Sequence, residues 1–313
     1  MTRAFTFPGQ GSQAVGMGKE LAEAFPAARE VFEEVNEALG QNLSKLMWEG
    51  PGEELTLTEN AQPALMAVSL AAMRVLEKEG GFALADKAAY VAGHSLGEYS
   101  ALAAAGTFTL ADTARLLKTR GQAMQKAVPV GEGAMAAVLG LDFEDAKAVA
   151  EAASEVGVCQ TANDNAPGQI VLSGAKAAVE RAAQLAKEKG AKRAMLLDVS
   201  APFHCALMQP AADKMAEALG TVEMRAPAVP LVANVTAGPV DDPEVIRKLL
   251  VEQVTGMVRW RESVAWLAEN GVTSVVEVGS GKVLSGLAKR ISKELTAANV
   301  GAPGDVEAFL ASL

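Results

Sequence analysis

The stretch Tyr90-Val91-Ala92-Gly93-His94-Ser95-Leu96-Gly97-Glu98 places a serine in a G-x-S-x-G setting. Ala88–Ala92 is short and apolar, as a buried strand is, and Glu98–Ala105 continues at helical spacing. A tight turn between such elements strains the backbone and lifts the serine hydroxyl clear of the sheet, with a helix N-terminus behind it. Glycine is required two residues to either side, because a side chain there collides with the neighbouring strand or helix. The pattern alone also fits an ordinary strand–helix turn. The flanking elements point to Ser95 as a nucleophile.

A serine hydroxyl needs a base at neutral pH, and the chain has two histidines, His94 and His204. His94 directly precedes Ser95, and adjacent side chains on a strand point to opposite faces. His204, arriving from elsewhere in the chain, is the better candidate; a hydrogen-bonded structural role stays open for both rings, and for His94 above all. Cys205 beside His204 suggests a Cys–His pair, but adjacency in sequence does not supply that geometry. Glu98 falls in the first turn of the elbow helix, where a carboxylate serves free N–H groups and the dipole, so its role is read as structural.

Two glycine-rich loops remain. Gly9-Gln10-Gly11-Ser12-Gln13 follows the strand-like Ala4–Phe7 and by itself reads as a turn before a helix. Gly279-Ser280-Gly281-Lys282 superficially resembles a phosphate-binding loop. Val283 stands where G-x-x-x-x-G-K-[ST] needs a hydroxyl, and the segment is read as a strand-to-helix turn.

These residues must be held by a sizeable scaffold. At 313 residues, half of them hydrophobic, the chain can bury a large core and is expected to form two domains. No apolar run reaches membrane-spanning length, and the N-terminus lacks the pattern of a signal peptide. Cys159 and Cys205 fit no metal-ligand spacing, which points to a reducing cytoplasm. A net charge of −10 argues against nucleic acid as a partner, and an acidic partner must find a local basic patch.

Along the chain, Ala4–Phe7 reads as a strand, Lys19–Leu39 and Thr58–Lys78 as helices, then the elbow strand and helix, then a helix over Leu110–Lys126. This alternation predicts a parallel sheet covered by helices. The rhythm changes after Pro129. Ala134–Leu141 (strand), Asp142–Ser154 (helix), Val158–Thr161 and Gln169–Leu172 (strands around a turn holding Asn163, Asn165, Pro167 and Gly168), Ala175–Lys189 (helix) and Arg193–Asp198 (strand) make a β-α-β-β-α-β unit of ferredoxin-like type. The larger unit resumes at Ser200 with helices over Met208–Leu219, Asp242–Val254 and Arg261–Asn270 and strands over Val229–Ala233 and Thr273–Val278. The expected division is a large α/β domain, residues 1–128 and 199–313, into which a small domain, residues 129–198, is inserted.

The ordered motifs Phe7-Pro8-Gly9-Gln10-Gly11-Ser12-Gln13, Gly93-His94-Ser95-Leu96-Gly97-Glu98-Tyr99, Arg120-Gly121 with Met124-Gln125, Asn163, Asn165 and Pro167-Gly168-Gln169, Phe203-His204-Cys205, and Glu277-Val278-Gly279 span essentially the whole chain. Together they resemble the bacterial malonyl-CoA:acyl carrier protein transacylases. That resemblance implies a core like that of the α/β-hydrolases, a malonyl–serine ester at Ser95, and His204 as its base. It implies a backbone carbonyl near Gln253, rather than a carboxylate, as the partner of His204, and the N–H groups of Leu96 and Gln10 as the oxyanion hole. Arg120, by composition a solvated helix arginine, becomes the residue that pairs the malonyl carboxylate through two parallel hydrogen bonds.

Phe203 is implied to crowd an α-methyl branch, Gln253 to sit at the substrate, and Asn163 and Asn165 either to face the cleft or to hold a turn. The implied partners are malonyl-CoA and acyl carrier protein, serving fatty acid synthesis; no metal or bound cofactor, nucleic acid or membrane is implied, and a monomer is the expectation. Lys187, Lys189, Lys192, Arg193, Lys282, Lys289 and Arg290 are candidates for a basic rim, or else solvated surface. A polyketide acyltransferase, an acyl-thioester hydrolase and a non-catalytic scaffold are the rival readings; the hydrolase is disfavoured because no acid stands out as a third triad member.

Overall fold

The computed structural model describes residues 2–199 and 201–313. The chain opens with β1 (Arg3–Phe7), then α1 (Lys19–Ala24), α2 (Pro26–Leu39), α3 (Leu43–Glu49), α4 (Gly52–Thr56) and α5 (Thr58–Gly80). The single helix expected over Lys19–Leu39 is two, because Pro26 has no N–H to continue the ladder and its ring forces Phe25 into extended backbone. Next come α6 (Leu84–Lys87), β2 (Tyr90–Gly93), α7 (Gly97–Ala104) and α8 (Leu110–Lys126), which is capped by Thr109 accepting from the Asp112 N–H.

A second unit follows: β3 (Gly133–Leu139), α9 (Phe143–Ala153), β4 (Cys159–Ala166), β5 (Gln169–Ala175), α10 (Lys176–Glu188) and β6 (Arg193–Leu196). Then come α11 (Gln209–Gly220), β7 (Leu231–Val232), β8 (Pro239–Val240), α12 (Pro243–Thr255), α13 (Trp260–Glu269), β9 (Ser274–Val278), α14 (Val283–Ile291), β10 (Thr296–Val300) and α15 (Pro303–Ala311). Ser200, where the larger unit is expected to resume, lies outside the described residues.

The fold is mixed α/β. One sheet has the order β10-β9-β1-β2-β7-β8 and is parallel except at β8. Its central strands are buried along their length, as expected where helices cover both faces. The other sheet is antiparallel with the order β4-β5-β3-β6, and α9 and α10 pack on it over a separate cluster that includes Val138, Ile170, Leu172 and Val179. β1 and β2 run side by side, so the loops leaving both open at the same carboxyl edge of the sheet, where ligands of such folds bind.

The turn expected to hold Asn163 and Asn165 is shorter than that. β4 runs on to Ala166 and turns only at Pro167-Gly168, so both asparagines lie on the strand, where its register against β5 is irregular. That stretch is tied to the larger unit by backbone hydrogen bonds between Ala162, Asp164 and Val258, and by Arg261 gripping the buried Asp164 carboxylate. The Gly279–Lys282 segment is a strand-to-helix turn. The buried Glu277 carboxylate accepts from the N–H groups of Leu284 and Ser285, and so occupies the anion position at the start of α14.

Candidate active site

Ser95 has φ 54°, a left-handed conformation that a serine adopts only when its surroundings hold it there. The glycines on either side explain why no other residue fits. A Cβ at Gly93 would lie 1.9 Å from the Gly97 carbonyl oxygen, and one at Gly97 would lie 2.2 Å from that of Phe7. Asn234, just beyond β7, closes the turn from below: Ser95 N–H donates to its Oδ1 at 2.8 Å, and its Nδ2 donates to the Gly93 carbonyl at 2.7 Å.

His204 Nε2 lies 2.7 Å from Ser95 Oγ. Its Nδ1 faces two carbonyl oxygens, Gln253 at 2.8 Å and Gly256 at 3.1 Å. Carbonyls only accept, so Nδ1 carries the proton and Nε2 keeps its lone pair for the serine O–H. Burial, followed by the Arg120 charge, depresses the His204 pKa to about 3, so the ring is neutral at physiological pH. The arrangement is a serine–histidine pair oriented by main chain, able to deprotonate Oγ.

Gln10 and Leu96 meet at the wall of the same cavity, about 350 Å³ in volume, beside Ser95 and His204. Among the described residues neither of their backbone N–H groups has an acceptor. Leu96 also opens α7, so its N–H belongs to the positive end of that helix.

Arg120, on α8, is 1% exposed rather than solvated, and it reaches the cavity wall. Nη1 donates to Gln62 Oε1 at 2.8 Å; Nη2 donates to Gln253 Oε1 at 2.8 Å and to Ser95 Oγ at 3.2 Å. The Tyr99 ring lies 5.7 Å from its Cζ. Among the described residues no carboxylate forms an ion pair with it. Glu98 is nearby, but burial raises its pKa to about 8 against the pull of the Gln253 hydrogen bond, which leaves it largely protonated near neutrality. A buried guanidinium without a counterion beside a nucleophile is a site for an anion.

Gln253 is 0% exposed and lies behind Arg120, outside the cavity wall where a substrate contact was expected. Its side chain accepts from Arg120 and donates to the Ser95 carbonyl at 2.9 Å and to Glu98 Oε2 at 2.5 Å. Asn163 and Phe203 both line the cavity, with Asn165 alongside. His94 serves no proton transfer at Ser95: its Nε2 is 2.8 Å from Asn165 Oδ1, joining the elbow to β4. Cys205 points away, its Sγ donating to the Pro202 carbonyl.

Sequence reasoning passed over Asn234 and Gln62, and read Glu98 only as a helix-start carboxylate. An asparagine directly after a short predicted strand and a glutamine directly before Pro63 were the available signals, and both are weak.

Over residues 4–302 the sequence matches the acyl transferase domain family. It is 48% identical over 311 residues to the malonyl CoA-acyl carrier protein transacylase of Bacillus subtilis, covering 99% of this chain and 96% of that protein. The transacylase of the same name from Escherichia coli K12 is also 48% identical, over 98% of each chain. The crystal structure of acyl-carrier-protein S-malonyltransferase from Bartonella henselae superposes with a TM-score of 0.98 at 60% identity, covering 100% of this chain and 99% of that one. A type II polyketide acyl carrier protein in complex with its malonyl-transacylase gives 0.96 at 44% identity over 100% of both chains.

Proposed function

Since the chain belongs to the acyl transferase domain family, we propose that it moves a malonyl group from malonyl-CoA to the phosphopantetheine thiol of acyl carrier protein, for fatty acid synthesis. The observation that carries the acyl group is Arg120, buried in the cavity wall 3.2 Å from Ser95 Oγ and, among the described residues, without a carboxylate partner. An acyl chain short enough to reach the nucleophile and ending in a carboxylate supplies that partner. One without it leaves the guanidinium unpaired, at a cost of several kcal/mol on the order seen for broken buried pairs.

In the first half, His204 Nε2 takes the Ser95 proton as Oγ attacks the thioester carbonyl. The oxyanion forms between the Gln10 and Leu96 N–H groups. Collapse expels the CoA thiolate, which regains a proton from His204 and leaves a malonyl ester on Ser95. In the second half, His204 takes the carrier thiol proton, the thiolate attacks the ester, and Ser95 recovers its hydrogen. Every role is filled by a side chain or a backbone N–H, so the scheme calls for no metal or cofactor. The Arg120 N–H to Ser95 Oγ adds stabilisation as negative charge builds on that oxygen.

We read the β3–β6 unit, with its strand order and two helices, as a ferredoxin-like insert of residues 129–198 in a core related to the α/β-hydrolases. Asn163 and Phe203 then bound the acyl site from the two sides, and Gln253 acts behind it. A cytoplasmic monomer is the expected state, and among the described residues no helix is long and apolar enough to cross a membrane. The exposed cations Lys187, Lys192, Arg193, Lys282 and Lys289 are candidates for meeting an acidic carrier; Lys189 is already paired with Asp145, and Arg290 donates to Gln169.

The test is intact mass after brief incubation with malonyl-CoA. A single malonyl adduct on the wild type, absent from Ser95→Ala and discharged by holo carrier protein, is the expected result. Free malonate without a lasting adduct identifies a hydrolase instead.

A further inference from the structure

Arg120 is joined to Gln10 by three hydrogen bonds that all run one way. Arg120 Nη1 donates to Gln62 Oε1 at 2.8 Å, Gln62 Nε2 donates to Thr58 Oγ1 at 2.9 Å, and Thr58 Oγ1 donates to Gln10 Oε1 at 2.9 Å. The direction is forced from one end. Arginine has no acceptor, so Gln62 must turn its carbonyl toward Arg120 and its NH₂ toward Thr58. Thr58 Oγ1 therefore accepts, and its single proton is left for Gln10.

The relay is dry and rigidly mounted. Thr58 and Gln62 are buried, and they sit four residues apart, one turn along the same face of α5. α8 lies directly on the start of that helix: a Cβ at Gly121, next to Arg120, would stand 2.6 Å from the Thr58 carbonyl oxygen. The separation of the backbones that carry Arg120 and Thr58 is thus set by main-chain packing, and the guanidinium is held in place by Gln62 and Gln253. Gln10, in contrast, sits in a loop outside helix and strand, and the Thr58 hydroxyl is the side-chain anchor that holds it.

We propose that Thr58 is a positioning residue that couples the arginine receiving the substrate carboxylate to the backbone donor receiving the oxyanion. The inference rests on the transferase reading above. With the Gln10 side chain pinned, its N–H is aimed before reaction. Arg120 fixes the polarity of the pin, because only an arginine-bound Gln62 presents its donor to Thr58.

The test uses the full chain and the rate at which Ser95 is acylated in a single turnover. Thr58→Val removes the hydroxyl at nearly constant volume, and it is expected to slow malonyl acylation about tenfold at saturating malonyl-CoA with little change in KM. Thr58→Ser keeps the hydroxyl and is expected to restore the rate. With acetyl-CoA, the same Thr58→Val penalty should appear when Arg120 is present and shrink to about twofold or less in an Arg120→Ala background.

A Thr58→Val protein that acylates like wild type overturns the inference. So does a Thr58→Ser protein as slow as Thr58→Val, or an equal penalty in both Arg120 backgrounds. A wild type that forms no adduct overturns the transferase reading itself, and this inference with it, before any variant is compared.

Discussion

His204 and Gln253 are joined through the main chain of one and the side chain of the other: His204 Nδ1–H donates to the Gln253 carbonyl at 2.8 Å. The Gln253 side chain meanwhile holds Arg120, the Ser95 carbonyl and Glu98. One residue therefore orients the base with its backbone and the carboxylate-binding arginine with its amide. Gln253→Ala separates these roles. The carbonyl stays, so the pH dependence of acylation should keep its shape. The amide goes, leaving buried groups unpaired, and stability should fall by about 2–4 kcal/mol with reduced preference for malonyl over acetyl. Chemical denaturation and paired acylation rates check both halves.

Arg120→Ala should lower malonyl transfer far more steeply than acetyl transfer, because malonyl loses its carboxylate partner as well, whereas acetyl loses only the Arg120 contact to Ser95 Oγ and the relay through Gln62. Arg120→Lys should recover charge but not selectivity, since an ammonium cannot replace a fork that simultaneously meets Gln62, Gln253 and Ser95. Competition between the two thioesters measures this directly. Equal losses for both acyl groups would remove the argument for a carboxylate site.

The pH behaviour follows from two buried groups shifted in opposite senses. His204 is depressed to about 3 from 6.5 by burial and by Arg120, so its unfolded form binds more protons in that window. Its contribution to stability is complete above about 6.5 and is lost as pH falls. Glu98 is raised to about 8 from 4.5 by burial, so its contribution is complete below 4.5 and is lost as pH rises through 8. Between 4.5 and 6.5 the two slopes oppose one another. From about 6.5 to 8 only Glu98 acts, and of the two it alone should lower wild-type stability there, by at most about 1.4 kcal/mol per pH unit. Glu98→Gln should flatten that limb in denaturation series at fixed ionic strength. The acylation rate should show no loss near pH 6.5, since the base is already neutral well below it.

What could be read from sequence was what local steric demand writes into adjacent residues. Gly93 and Gly97 are dictated by contacts at 1.9 and 2.2 Å, so the elbow and its serine stand out in a nine-residue window. The α5 and α8 helices, with long apolar faces, were equally clear. The polar network was not. Arg120 meets Gln253 across 133 positions, and Ser95 meets Asn234 across 139, so nothing near either residue records its partner. Only whole-chain resemblance turned Arg120 from a surface arginine into a buried one. Asn163 and Asn165 read as turn residues because asparagine beside Pro167-Gly168 is turn chemistry, whereas both lie on β4 two positions apart, on the one face that lines the cavity. β10 is hard to read because Thr296–Val300 holds a single large apolar residue, and α15 because Val306, Phe309 and Leu310 mark only one turn of helical spacing.

Asn234 offers the sharpest test of how the elbow is held. Its amide bridges Ser95 N–H and the Gly93 carbonyl, the two backbone groups on either side of His94 that the left-handed Ser95 leaves without sheet or helix partners. It is buried, so no solvent stands ready to replace it. Asn234→Ala should cost about 2–4 kcal/mol in stability, one unsatisfied donor and one unsatisfied acceptor together. It should also slow acylation, because the αL conformation at Ser95 stores about 1–3 kcal/mol that only such contacts hold in place. Asn234→Asp keeps the acceptor for Ser95 N–H but loses the donor to Gly93, and it should fall between the two. If the alanine variant melts lower yet acylates Ser95 at the wild-type rate, the elbow is held by its glycine packing alone.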